Sequence, residues 1–328
     1  MASPPAQVSV ITPIQPAIER ARQLLFRPFN LATWFTIGFC AWLAGVGQTG
    51  FGNWGFTGLN PQGRFPGSPH ASGSTTWQGA NEVWEQAKDQ VMGNLAWILP
   101  LAIVLVCLIV ALGVIMVWVM SRGEFMFLHC VALGRAEVAA PWRQHARKAR
   151  SLFFFRLVLG LLGAVLMLPL AAFIGVFVFR LFTRGVPPLA GWLPLIVAGL
   201  GLLVVGFGFA VVAKLTRDLV LPIMFLHDGT CRQAWRELLG LFAGRYHLLV
   251  LYLLFQIVLG LMMSVIVLVA VIATCCVAAC LMAIPYIGTV LLLPVLVFQR
   301  AYSLYYLAQL GPRYDLFQTP APPPVSPA

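Results

Sequence analysis

Charge is what this sequence has least of. Asp, Glu, Lys and Arg make up 9% of 328 residues, against roughly a quarter in an ordinary soluble domain. A chain so poor in charge cannot clothe a globular surface, which excludes a soluble enzyme or binding module of this length. Residues 248–298 carry no charge of either sign. Neither a CxxC pair nor an HExxH run occurs, so the usual redox and zinc patterns are missing. Cys40, Cys107, Cys130, Cys231, Cys275, Cys276 and Cys280 fall mostly inside apolar runs. There a cysteine behaves as a small hydrophobe, and no disulfide framework is expected. Residues 1–14 lack the basic run and apolar core of a cleavable signal peptide and are expected to be disordered.

Apolar residues make up 60% of the chain, in runs long enough for bilayer crossings of about 17–25 residues each. The pattern predicts an all-α, polytopic transmembrane helical bundle, a single membrane domain over residues 15–310. Six spans are expected, near 29–46, 95–120, 157–179, 189–213, 248–273 and 284–303. Residues 47–80, rich in Gly, Ser, Pro and Asn, read as a flexible loop, with a helix from Asn81 to Met92. The Pro-rich tail 311–328 is expected to be disordered. In the fourth span Gly199, Gly201, Gly206 and Gly208 form pairs at seven-residue spacing, suited to close helix packing.

Seventeen of the 21 Lys and Arg lie in segments on the side of the termini. Positive charge stays inside, so both termini are expected in the cytoplasm of a bacterial inner membrane. The net charge of +11 clusters beside apolar runs rather than along a soluble face, which points to anionic lipid and away from nucleic acid.

Short interfacial amphipathic helices are expected between spans. One runs from Pro16 to Leu25, with Ile18, Ala21, Leu24 and Leu25 on its apolar side. Another runs from about Cys231 to Leu241, opened by a capping box of Thr230 and Gln233 and burying Ala234, Trp235, Leu238 and Leu241. The tetrapeptide MFLH occurs at Met126–His129 and again at Met224–His227, each copy preceding a Trp-Arg pair. The chain therefore reads as a three-fold repeat of surface helix plus helical hairpin, beginning near residues 15, 122 and 217.

The polar stretch 217–246 invites an acid–base or metal reading through His227 and Asp228. Adjacent helical residues point apart, however, and no second ligand stands at a metal-like spacing, so no catalytic, cofactor or metal residue is assigned. His129, His227 and Asp228 remain weaker polar-site candidates, His129 as an interfacial side chain and His145 as part of a solvated basic face. Lipid or partner contacts are expected at Arg143, Arg147, Lys148, Arg150, Arg232, Trp235 and Arg236. Gln256 is expected to bond between helices. With Arg300 counted in the inner C-terminal segment, the six cores carry no charge, which demotes ion-coupled transport. Prolines at 100, 169, 285 and 294 mark expected helix breaks.

The stretches LFRPFNLATWFTIGFCAWLAG (Leu25–Gly45) and RDLVLPIMFLHDGTCRQAWREL (Arg217–Leu238) resemble bacterial polytopic membrane proteins grouped as a domain of unknown function. These are distantly similar to the membrane domain that accompanies some glycerophosphodiester phosphodiesterases. The resemblance implies an inner-membrane helical bundle; no soluble segment is long enough for the phosphodiesterase domain itself. The expected role is a non-enzymatic accessory or scaffold subunit, in contact with anionic lipids, a protein partner or a second copy. A permease or lipid-handling transporter stands second and a membrane-embedded hydrolase third.

Overall fold

The computed structural model describes residues 9–27, 29–45, 95–134, 136, 138–184, 192–227, 229–274 and 277–317. The expected loop 47–80, the helix at Asn81–Met92, Asp228, Cys275, Cys276 and most of the Pro-rich tail lie outside them. The described residues are helical throughout, with no strand. The helices are α1 (Ile14–Phe26), α2 (Leu31–Gly45), α3 (Leu95–Leu133), α4 (Ala139–Gln144), α5 (Ala146–Arg184) and α6 (Leu193–Leu215). A π-helical turn at Thr216–Val220 leads directly into α7 (Leu221–His227). There follow α8 (Cys231–Leu241), α9 (Tyr246–Ala273), α10 (Val277–Ala283), α11 (Pro285–Leu291) and α12 (Leu293–Ala308).

Among the described residues four helices are long and apolar enough to cross a membrane: Leu99–Leu133, Ala146–Leu181, Leu193–His227 and Tyr246–Ala273. This fits an integral membrane protein. The first and last expected spans take other forms. One is α2, whose 15 residues rise about 22 Å. The other is divided between α11 and α12, each opening with a proline in its first turn, where the missing N–H costs nothing. Pro100 and Pro169, by contrast, lie inside unbroken helices, so breaks occur at only two of the four expected prolines.

Hydropathy also misplaces the helix ends. The apolar runs stop at 120 and start at 157, yet α3 and α5 each have 39 residues and rise about 58 Å, nearly twice the hydrocarbon thickness. Apolarity measures the part fit for lipid; the helix itself continues for as long as its polar residues find partners.

The chain divides into two compact units. The first comprises Met1–Gly47, Val117–Leu159 and Phe209–Ala328 and holds the buried core. Its centre is α12, which buries Leu293, Val297, Arg300, Tyr302, Ser303, Leu304, Tyr306 and Leu307 on almost every side. Against it lies α1, through Ala17, Ala21 and Leu25. The expected surface helix is thus present but docked on protein; Ala21 and Leu25 are buried and Leu24 partly so, as expected, whereas Ile18 is exposed and Ala17 takes its place. Arg20 explains the docking. Its guanidinium donates to the carbonyls of Val131 and Ala132 at 3.1 and 2.7 Å, two acceptors left without partners at the end of α3. Gly134, at φ +70°, closes that end in the left-handed conformation glycine adopts freely.

The second unit comprises Gln48–Met116 and Gly160–Gly208. Its described helical stretches are apolar and mostly exposed, with Leu101 at 70% and Leu203 at 69%. The glycine pairs work differently from the seven-residue expectation. Gly201 and Gly206 lie against Leu170 and Met167, whereas Gly199 and Gly208 meet open space.

Candidate functional site

Two groupings in the first unit concentrate polar chemistry. One is an interior chain of charge. Glu124, 3% exposed, accepts a hydrogen bond from Arg156 Nη2 at 2.6 Å. Asp218, in the π-helical turn, receives Lys214 Nζ at 2.7 Å and stands 3.8 Å from Arg217 Nε. The Tyr252 hydroxyl donates to Asp218 at 3.3 Å, and Gln256 Nε2 donates to the Tyr252 oxygen at 3.0 Å. Gln256 therefore bonds within α9 and reaches the neighbouring helix only through Tyr252. Arg300, buried on α12, lies in the fields of Glu124, Asp218 and Arg217, and its Nη1 donates to the Arg217 carbonyl. A π-turn widens the helix and breaks the regular i→i−4 ladder, and the Arg300 bond falls on a carbonyl in that turn.

Apart from Arg300, these charges lie just outside the expected spans, yet they gather inside the protein. Glu124, Arg156, Lys214 and Asp218 flank the expected apolar spans, where hydropathy gives no reason to bury them. The helices run on through them, and opposite charges from different helices meet. The signal that was present is pairing of sign: 122–156 holds two carboxylates among its cations and 214–218 holds one.

The second grouping is a basic face. Arg143, Arg147, Arg150, Arg232 and Arg236 are exposed, and no carboxylate pairs with them among the described residues. Lys148 and Trp235 are turned otherwise. Lys148 Nζ donates to the Phe225 carbonyl at 2.8 Å and sits 5.4 Å from the centre of that ring. Trp235 is half-buried beside Phe155, ring centres 6.1 Å apart. Arg122, which the sequence did not single out, packs against both Trp118 and Trp142 at 4.6 and 4.8 Å from their ring centres, a cation–aromatic contact in the corner of two rings that meet edge-on at 5.9 Å.

The helix expected from Cys231 to Leu241 is α8, with both halves of the Thr230–Gln233 capping box formed. Cys231, Ala234 and Leu238 are buried, and Trp235 and Leu241 partly so. Its first turn is pinned where the Cys231 N–H donates to Ser151 Oγ at 3.0 Å. Burial pushes the Cys231 thiol up to about 12.

The two MFLH copies have different surroundings. His129 lies within α3 and is 7% exposed, against His145 at 5.7 Å and Phe225 at 6.2 Å between ring centres. His145 is itself 6% exposed and 5.0 Å from Phe225. Both are therefore interior side chains, where an interfacial and a solvated role were expected; the aromatic wall that covers them is not encoded near either in sequence. His227 is exposed and pairs with Glu237, Nδ1 to Oε1 at 3.2 Å. The Tyr314 hydroxyl also donates to Glu237, at 2.6 Å, and burial together with that bond raises its pKa to about 12. Among the described residues no three His, Cys, Asp or Glu side chains gather in a metal-binding group.

A family model matches residues 8–293, most of the chain, and the protein belongs to the Family of unknown function (DUF7544). No curated protein and no solved structure matches it.

Proposed function

We propose that this member of the family crosses the bacterial inner membrane six times with both termini in the cytoplasm. We infer that it serves as a non-enzymatic accessory or scaffold subunit. Its basic inner face holds anionic lipid headgroups or, through them, a protein partner. The observation that carries this reading is the division of cations in the first unit. Arg156, Lys214 and Arg217 are matched to carboxylates, whereas Arg143, Arg147, Arg150, Arg232 and Arg236 stand exposed without one among the described residues. Each basic residue near an anionic leaflet contributes about 1 kcal/mol of attraction, so five together make a surface of real affinity.

The test replaces all five with Gln and measures the anionic phospholipid that copurifies with the protein. At least a several-fold loss is expected, with the melting temperature nearly unchanged; equal lipid content in the two proteins would refute the reading. Orientation is tested separately with Trp77→Cys in a cysteine-free background, which must label only from outside. The three-unit order belongs to the same reading, and superposition of the segments after His129 and His227 tests it.

Uncoupled or ion-coupled permeation is the second reading, favoured by the interior charge chain at the π-helical turn. Ionisable groups inside a helical membrane protein commonly mark a pathway. Flux into reconstituted vesicles that falls with Asp218→Asn would replace the first reading with this one.

A further inference from the structure

We propose that Cys40 and Cys130 form a redox-modification site, in which an organic hydroperoxide dissolved in the bilayer joins them as a disulfide stapling α2 to α3. Their sulfurs stand 3.9 Å apart, the Cys130 thiol donating to Cys40, although 90 residues separate them in the chain. Both are fully buried. Of the other described cysteines, Cys107 and Cys280 are exposed and Cys231 is buried elsewhere, on α8.

A disulfide needs Cβ atoms about 3.5–4.5 Å apart and an S–S bond of about 2.05 Å. Two helices rarely come close enough without a small residue at the crossing, and Gly123 supplies one. A Cβ there would lie 2.6 Å from the Ala44 nitrogen and 2.6 Å from the Leu43 carbonyl carbon, so α2 and α3 meet backbone to backbone about two turns from Cys130 on α3 and about one turn from Cys40 on α2. The thiol pair and the glycine seam are independent features of the same interface.

The chemistry balances without a metal. One thiol attacks the distal oxygen of the hydroperoxide; the O–O bond breaks, an alcohol leaves, and that sulfur becomes a sulfenic acid. The second thiol attacks this sulfur, the S–O bond breaks, and water leaves with the remaining proton. Two thiols lose two electrons and the hydroperoxide gains them. The product is neutral, which suits a buried apolar seam. Two thiolates on a soft cation would instead leave net charge there without a third ligand among the described residues.

The test uses the full-length protein in lipid nanodiscs, with Ala at Cys107, Cys231, Cys275, Cys276 and Cys280 and a specific protease site inserted between residues 60 and 80. After cumene hydroperoxide, thiol blocking and cleavage, the two fragments are expected to run as one band without reductant and as two with it. Cys40→Ser and Cys130→Ser must each abolish the joined band. A control pair, Cys130→Ser with Leu133→Cys, keeps α3 but moves the thiol to an exposed position and is expected to join at least tenfold less. Fragments that separate without reductant overturn the proposal, as does a control that joins equally. In the seven-cysteine protein, denaturing thiol titration must fall by two per chain; an unchanged count overturns the proposal without relying on any variant.

Discussion

The two units are built from some of the same helices by different rules. In the second unit, α3 up to Met116, α5 from Gly160 and α6 up to Gly208 are apolar on nearly all sides, and almost nothing covers them. The most apolar windows of the first three candidate spans are 6%, 0% and 0% buried. Such helices are solvated by lipid and need little from one another. In the first unit α3 and α5 carry Glu124 and Arg156, the first buried and the second half-buried. A helix can thus be specified by its solvent along one part and by its partners along the next, and only the first is visible as hydropathy.

Substitutions at matched positions would sharpen or break that contrast. The largest effect is expected at the ion pair. Glu124→Ala leaves the half-buried Arg156, its side chain 16% exposed, with no counter-charge on that bond, and loss of one partner of such a pair costs up to about 3–5 kcal/mol. Leu105→Ala in the second unit, where the side chain is 54% exposed, should change stability by less than about 0.5 kcal/mol. Denaturation in mild detergent compares them, and similar losses at the two positions would mean that the units do not differ as described.

Glycine gives the next comparison within a single helix. At Gly123 a Cβ meets the backbone of α2 at 2.6 Å, whereas at Gly113 nothing lies within 4 Å. Gly123→Ala should therefore destabilise by about 1–3 kcal/mol through overpacking. Gly113→Ala should be neutral or stabilise by up to about 1 kcal/mol through helix propensity. Opposite signs are the expected result; the same sign would show that close packing of α2 against α3 is unimportant. Thr230→Ala comes third, at about 1 kcal/mol for loss of a cap.

What could be read in advance follows the same line. The capping box of Thr230 and Gln233 and the extent of α8 are local properties, so four residues sufficed to place them. The apolar windows of α3, α5, α6 and α9 were equally plain. Arg20 reaching the end of α3, Arg300 on the Arg217 carbonyl, and the burial of His129 and His145 all join residues far apart in sequence. Neither propensity nor periodicity carries that information. The exposure of Arg143, Arg147, Arg150, Arg232 and Arg236 was legible because it is the ordinary state of an arginine. Lys148 was not, because its acceptor is a carbonyl on another helix.

The smallest expected effect is a dependence on alkaline pH at the rim of the first unit, where the charge is exposed enough to titrate in water. Tyr314 in the folded chain has its pKa raised to about 12 by burial and by the bond to Glu237. In the unfolded chain it ionises near the ordinary tyrosine value of about 10. Below pH 10 both states hold the proton, and the contribution of the neutral hydroxyl to stability is complete. Between about pH 10 and 12 the unfolded chain has lost its proton while the folded chain keeps it, so stability falls as pH rises. Glu237→Gln removes the negative charge that opposes phenolate formation but leaves the burial in place. The phenolate absorbance midpoint, taken as the difference from Tyr314→Phe, should then move down toward 10 without reaching it. Because His227 also leans on Glu237, the same variant should loosen the end of α7. A midpoint unmoved by Glu237→Gln would assign the whole shift to burial and detach this polar rim from the comparison.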